Sequence, residues 1–307
     1  CFRALGKLGW EAWSSLIMRL INLALGVTLL VAGAGVWGLA ISSVIATLAA
    51  IVLSYRLLLR YIRPLWRVDW SYWRASLTQP TAVGIGVIFS IISFRVDNLL
   101  IPPMISREAL ATYNVAYKLF EPSLILPGVL LAATFPLLSR AAHESLRQPS
   151  SFRDLLSQTT LILLGSGILA ASTLTLLATP IVNLLYGSTY ASSAPILAWL
   201  ALACIPMYIN YGLTHTLIAI DKPKLYAIFT FASLFVNIAA NLALIPTLGI
   251  TGAALATIAT EITLVALCGT AVVRHLSTLQ PSNSPTTIIN PQSVIRNPQS
   301  SDLELPT

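Results

Sequence analysis

Residues 36–59 read VWGLAISSVIATLAAIVLSYRLLL, an apolar run interrupted by one charge, Arg56, near its end. A helix needs ~20 such residues to cross a bilayer, and the run lacks the strict alternation of a barrel strand. Runs of the same kind occupy residues 12–32, 78–102, 110–138, 155–179, 194–219, 225–245 and 251–273. Together they predict an all-α membrane protein of about eight transmembrane helices.

Composition leads to the same class. Of 307 residues, 56% are hydrophobic and 9% charged, whereas soluble domains are roughly a quarter charged. The chain therefore lacks the polar surface of a water-soluble globule. Its formal charge of +7 is a topology signal rather than a nucleic-acid footprint, because the basic residues gather in alternate loops. At the end of the second run and in the loop after it come Arg56, Arg60, Arg63, Arg67 and Arg74 against one acid, Asp69. After the fourth come Arg140, Arg147 and Arg153, after the sixth Lys222 and Lys224, and at the end of the eighth Arg274. Loops 32–36, 180–193 and 246–251 are uncharged, and 103–109 carries only Arg107 beside Glu108. Positive loops lie inside, so eight spans with both ends cytoplasmic are expected.

Two hairpins share a pattern. Asn22-Leu-Ala-Leu in the first span aligns with Asn237-Ile-Ala-Ala in the seventh. Gly35-Val-Trp-Gly38-Leu-Ala in the second aligns with Gly249-Ile-Thr-Gly252-Ala-Ala in the eighth, after one gap in the turn. Both pairs start on the same side, which makes the repeat parallel, an arrangement known among transporters. It implies four segments: residues 1–59, the last two helices of an N-terminal lobe; 60–75, a basic cytoplasmic linker; 76–275, a six-helix C-terminal lobe; and 276–307, a polar Pro/Ser/Asn/Gln-rich tail expected to be disordered. The chain begins at Cys1 rather than Met, and four helices are expected upstream.

Charges inside the spans are the sharpest functional signal, since each costs at least ~2.5–3.5 kcal/mol at the bilayer centre unless paired or wetted. They are Arg19, Arg95, Asp97, Lys118, Glu121 and Glu261. Arg95 and Asp97 in the third span, and Lys118 and Glu121 in the fourth, lie at similar distances from the turn near Ser106, so all four are expected at one level. Lys118 and Glu121 share a helix face and can pair; Arg95–Glu121 and Asp97–Lys118 are the cross-helix alternatives. Such a group either locks the hairpin as an ion-pair network or rings a wet cavity whose cations hold an anion and whose acids couple ions. Arg19 can snorkel to the cytoplasmic face or meet a phosphate. Glu261 is a protonated acid against a neighbouring helix or a site for a coupling ion.

Uncharged polar residues recur at helical spacing: Asn237 and Asn241, Asn210 and Thr214, Tyr211 and His215. Stripes of this kind join helices or line a lumen. Pro80, Pro122, Pro127, Pro136, Pro195 and Pro206 interrupt spans, each removing a backbone donor. Cys1, Cys204 and Cys268 match no metal or redox spacing, and no disulfide is expected. With no glycine-rich phosphate loop, no H-E-x-x-H and no segment sized for a nucleotide-binding domain, no cofactor or metal is expected, and an ATP-driven pump within the chain is excluded.

Several stretches resemble polysaccharide-export flippases of the multidrug/oligosaccharidyl-lipid/polysaccharide (MATE-like) superfamily. They are Phe94-Arg95-Val-Asp97-Asn98-Leu-Leu-Ile, Ala111-Thr-Tyr113-Asn-Val-Ala116-Tyr117-Lys-Leu-Phe-Glu121, Leu126-Pro127, Phe135-Pro136-Leu-Leu-Ser139, Pro180-Ile-Val-Asn-Leu-Leu-Tyr186-Gly187-Ser-Thr-Tyr190, Ala219-Ile-Asp-Lys222-Pro-Lys224 and Leu244-Ile-Pro246-Thr-Leu-Gly249-Ile-Thr-Gly252. The resemblance runs from about residue 1 to 275 and separates members of the superfamily poorly. It implies two six-helix lobes with alternating access, and a polyprenyl-pyrophosphate-linked oligosaccharide as cargo in a bacterial inner membrane. It further implies drive from membrane potential or a coupling ion, H+ or Na+, and no enzyme chemistry. By resemblance Arg95 belongs in the cationic cavity beside Asp97 and Asn98, with Lys118 and Glu121 in the same stretch; Asn237, Asn241 and Arg19 complete the candidate cavity set, and Asp97 and Glu261 the candidate coupling pair. A multidrug cation exporter or a peptidoglycan lipid-precursor flippase of the same fold is the alternative. A polymerase or ligase of lipid-linked sugars is disfavoured, because the outward loops are short and nearly uncharged.

Overall fold

The computed structural model describes residues 8–61, 70–145 and 148–279. Every described element is helical, and eight helices are long and apolar enough to cross a membrane. The core of the basic linker, including Arg63 and Arg67, and the tail from residue 280 lie outside the described residues. Chain contacts divide the protein into two units, Cys1–Trp73 and Arg74–Thr307.

The first unit is a helical hairpin of α1 (Leu8–Val31) and α2 (Gly35–Leu58). Its turn needs glycine: Gly33 and Gly35 have φ of 82° and 54°, the left-handed region that costs other residues a steric penalty. Between the helices, Ser42 and Ser43 donate to Asn22 Oδ1 at 2.9 and 3.3 Å. These polar contacts join two surfaces that are otherwise apolar.

The second unit contains most of α3 (Trp70–Met104), then α4 (Arg107–Phe120), a 3-10 turn (Glu121–Leu124), α5 (Ile125–His143), α6 (Pro149–Tyr186), α7 (Ser193–Ala219), α8 (Pro223–Leu248) and α9 (Ile250–Thr278). Local chemistry sets the boundaries. The Ser106 hydroxyl accepts from Ala109 N–H at 3.1 Å and starts α4, as an N-cap does. Proline opens α6 and α8, where its missing N–H costs nothing. Gly187 and Gly249, both at positive φ, close them. The last helix runs to Thr278, a few residues into the stretch expected as tail.

α7 is the pivot of this unit. Its span is 61% buried, against 17% to 33% for the others of the unit, and it packs on α4, α5, α6 and α9. Tyr113, Phe120, Leu197, Leu200, Met207 and Tyr208 form one end of the core, and Leu138, Phe152, Leu217 and Cys268 the other. Outward faces are as apolar as the core: Leu169, Leu176 and Leu184 on α6 are all exposed. Such a face is a liability in water and a natural partner for lipid tails. Cys204 and Cys268 are buried and free.

The fourth span is broken. Of the six prolines expected to interrupt spans, Pro80, Pro136 and Pro206 sit inside continuous helices. At Glu121–Leu124 the chain instead tightens into a 3-10 turn. Pro122 and Pro127, five residues apart, withhold two donors from neighbouring turns. One acceptor finds a substitute: Pro127 offers no N–H to the Ser123 carbonyl, and the Tyr208 hydroxyl on α7 donates to it at 2.5 Å.

The hairpin repeat extends from sequence to contacts. A Cβ on Gly38 would meet Leu29 at 2.9 Å, and one on Gly252 would overlap the Leu244 backbone. Leu29 and Leu244 correspond in the alignment that pairs Asn22 with Asn237. Asn237 also bridges its hairpin, donating to Thr260 Oγ1 at 3.2 Å, as Asn22 joins α1 to α2.

Candidate functional site

Asp97 is the most deeply buried carboxylate among the described residues, at 3% exposure in the second unit. Three helices supply its surroundings. Tyr113 on α4 donates its phenol hydrogen to Asp97 Oδ2, and Thr257 on α9 donates to the same oxygen at 3.5 Å. Asn241 on α8 stands close by; its own amide is directed to Asn237, donating to the carbonyl at 2.9 Å and to Oδ1 at 3.2 Å. Asp97 Oδ1 and Asn241 Oδ1 are left without a hydrogen-bond partner. Orphaned buried oxygens cost free energy, and a bound proton or cation would relieve that cost.

A second acid lies one helical turn from Thr257 along α9. Thr257 and Glu261, four residues apart on α9, share a face. Asn210 on α7 donates to Glu261 Oε2 at 2.6 Å and to its main-chain carbonyl at 2.9 Å. This supplies the partner that the sequence did not reveal. Asn210 Oδ1 and Ser233 Oγ are buried without partners.

Both acids line one cavity of about 340 Å3 within the second unit, with Asn210, His215, Asn237 and Thr260 among its walls. Among the described residues no lysine or arginine lines it. Two carboxyl groups in such a setting can accept a proton or a cation. His215 Nδ1 is 2.7 Å from the Tyr211 carbonyl, which can only accept, so Nδ1 carries a hydrogen.

The cations lie elsewhere. Arg95, two residues before Asp97, is turned out of the cavity, its side chain 53% exposed. Lys118 Nζ is 3.2 Å from Glu121 Oε2, and Arg95 Nη2 is 3.9 Å from Glu121 Oε1. Two of the three pairings open at the sequence level are thus present, while Asp97 pairs with Tyr113 rather than Lys118. The expected single cluster of four charges is in fact two: a buried acid in a neutral cage, and an exposed group of two cations around one carboxylate. The reason is angular. Residues i and i+2 on a helix differ by about 200° in direction, so Arg95 and Asp97 cannot face the same space.

Of the remaining candidates, Asn237 and Asn241 are buried and cross-linked beside Asp97. Asn98 is half-buried and stands outside the cavity lining. Arg19 is exposed on α1, in the first unit. Tyr113, Thr257, Thr260 and Ser233 escaped sequence reasoning. For α9 a signal existed: Thr257, Thr260 and Glu261 are spaced i, i+3, i+4, a polar stripe in an apolar span. Tyr113 gave none, because it belongs equally to the apolar stripe Tyr113, Tyr117, Phe120. Among the described residues no group of three or more His, Cys, Asp or Glu could hold a metal ion.

A family model described as polysaccharide biosynthesis protein matches residues 11–195, more than half of the chain. No curated protein matches in sequence. Among solved structures, the chain is similar to a point mutant of the MATE transporter VcmN of Vibrio cholerae, at a TM-score of 0.70 and 17% identity, over 90% of this chain and 64% of that one. A MATE in complex with MaL6 gives 0.69 and 14%, over 91% and 65%. The lipid II flippase MurJ in an inward closed conformation gives 0.63 and 18%, over 90% and 60%. At these identities the likeness is one of fold. The chain spans less than two thirds of the length of these proteins.

Proposed function

Because this chain belongs to the family of polysaccharide biosynthesis proteins and has the fold of MATE transporters, we propose that it is part of a flippase. Its cargo is a polyprenyl-pyrophosphate-linked oligosaccharide, carried across the bacterial inner membrane by alternating access without covalent chemistry. One observation carries the reading: Arg95, Lys118 and Glu121 are all substantially exposed on otherwise apolar spans. Nine residues separate Arg95 from the end of α3 and eleven separate Lys118 from the start of α4. At ~1.5 Å per residue both are about 15 Å deep, near the middle of a ~30 Å hydrocarbon layer. Facing lipid there, each would cost at least ~2.5–3.5 kcal/mol. They require water or a polar ligand, and two cations at one depth suit a diphosphate through charge-assisted hydrogen bonds.

In this reading Asp97 and Glu261 take the coupling ion, H+ or Na+, inside the second unit, and Asn237 and Asn241 hold Asp97 in place. Asn98 and Arg19 remain candidate contacts to the cargo. Both chain ends face the cytoplasm, a placement supported by the alternation of basic and bare loops.

One observation favours a second reading, export of organic cations: among the described residues the cavity is lined by two acids and by no lysine or arginine. Replacing Arg95 by Ala in the full-length protein separates the two. A flippase of anionic lipid-linked sugars loses surface polysaccharide and accumulates the lipid-linked intermediate, while resistance to cationic dyes is unaltered. Unchanged polysaccharide and intermediate would remove Arg95 from transport.

A further inference from the structure

Glu121 holds an unusual place in the exposed charge group. Its two carboxylate oxygens are divided between two cations, Oε2 toward Lys118 at 3.2 Å and Oε1 toward Arg95 at 3.9 Å. All three side chains are exposed on the surface of the second unit, at 63%, 53% and 42% for Lys118, Arg95 and Glu121. A carboxylate spanning two cations sits where an anion with several acceptor oxygens would bind. We propose that Glu121 is a displaceable internal anion: the diphosphate head of the cargo takes over Arg95 and Lys118 and releases the Glu121 carboxylate to water. The inference rests on the reading that Arg95 and Lys118 contact that head.

The exchange is low in cost and therefore reversible. An exposed ion pair has little net stability to lose, and the Arg95 contact is long for a charge-assisted hydrogen bond. A diphosphate brings more negative charge and the oxygen geometry that a guanidinium fork matches in bidentate fashion. After the head departs, Glu121 closes on the two cations again, which avoids leaving like charges unneutralised on an apolar surface and discourages small anions from occupying them. Position adds a consequence. Glu121 is the first residue of the 3-10 turn that splits the fourth span, and Pro122 follows it directly. Exchange of its partners therefore acts on the joint between α4 and α5, where the backbone ladder is already interrupted.

The test is binding of inorganic pyrophosphate to the full-length protein in nanodiscs, compared among the parent and Glu121→Gln, Glu121→Ala, Arg95→Gln and Lys118→Gln variants. Removing the internal competitor is expected to tighten pyrophosphate binding several-fold in both Glu121 variants, and to narrow the preference for pyrophosphate over chloride. Arg95→Gln and Lys118→Gln are expected to weaken it. If the cation variants weaken binding while both Glu121 variants leave it unchanged or weaker, Glu121 is a positioning partner and the inference fails alone. If neither cation variant alters binding, the head-group reading fails and the inference with it.

Discussion

Arg95 and Asp97 lie two residues apart on α3 and serve opposite environments: one reaches Glu121 on an exposed face, and the other is enclosed by Tyr113 and Thr257. A single helix thus separates an anion-attracting surface from a cation-accepting interior. Under the proposed function, cargo and coupling ion would occupy separate sites, and a substitution at one would leave the other intact.

Asp97→Asn tests that separation. The amide keeps the shape of the carboxyl and can still accept from Tyr113, but it holds neither a proton nor a cation as a charged acid does. Transport by the variant is expected to lose its response to an imposed ion gradient, with pyrophosphate binding at the Arg95 face unchanged. Uptake into vesicles with and without the gradient measures this; a full gradient response would take Asp97 out of coupling.

Tyr208→Phe removes the hydroxyl that donates to the Ser123 carbonyl beside the helix break. The loss is expected to be about 1 kcal/mol, the usual net worth of such a bond. It should be concentrated locally, as faster hydrogen exchange in the segment 123–130 with little change in α8 or α9. Uniformly faster exchange across the unit would mean that the bond supports the whole bundle rather than the joint.

Much of this architecture was legible beforehand, and what was missed has physical causes. The spans follow from apolar runs and loop charge, because hydrocarbon imposes a length and a polarity on every helix. The helix break was not readable from any one proline, since Pro80, Pro136 and Pro206 are absorbed in continuous helices; the spacing of Pro122 and Pro127 distinguishes it. The opposite facing of Arg95 and Asp97 follows from the ~100° step of a helix, since residues at equal depth can still point apart. The cage of Asp97 was not available, because Tyr113 and Thr257 meet it only through the packing of α4 and α9 on α3.

Gly252 and Gly84 give a paired prediction about packing. A Cβ at Gly252 would overlap the Leu244 backbone, which cannot rotate away, whereas nothing lies within 4 Å of one at Gly84. Gly252→Ala is expected to cost ~1–3 kcal/mol, the usual range for overpacking. Gly84→Ala should change stability by less than about 0.5 kcal/mol or raise it, since alanine favours helix. Thermal unfolding in detergent compares them; equal effects would contradict the tight α8–α9 turn.

Whether exposed cations within the spans receive the diphosphate head of a lipid-linked sugar is decided by reconstitution. The full-length protein and its Arg95→Ala and Lys118→Ala variants would be placed in liposomes with a polyprenyl-pyrophosphate-linked oligosaccharide, and its movement between leaflets followed. A charged hydrogen bond is worth ~1.5–3 kcal/mol, so the parent should translocate the lipid and each variant should be slower by roughly tenfold or more. Translocation at the parental rate by both variants would show that the head is held elsewhere.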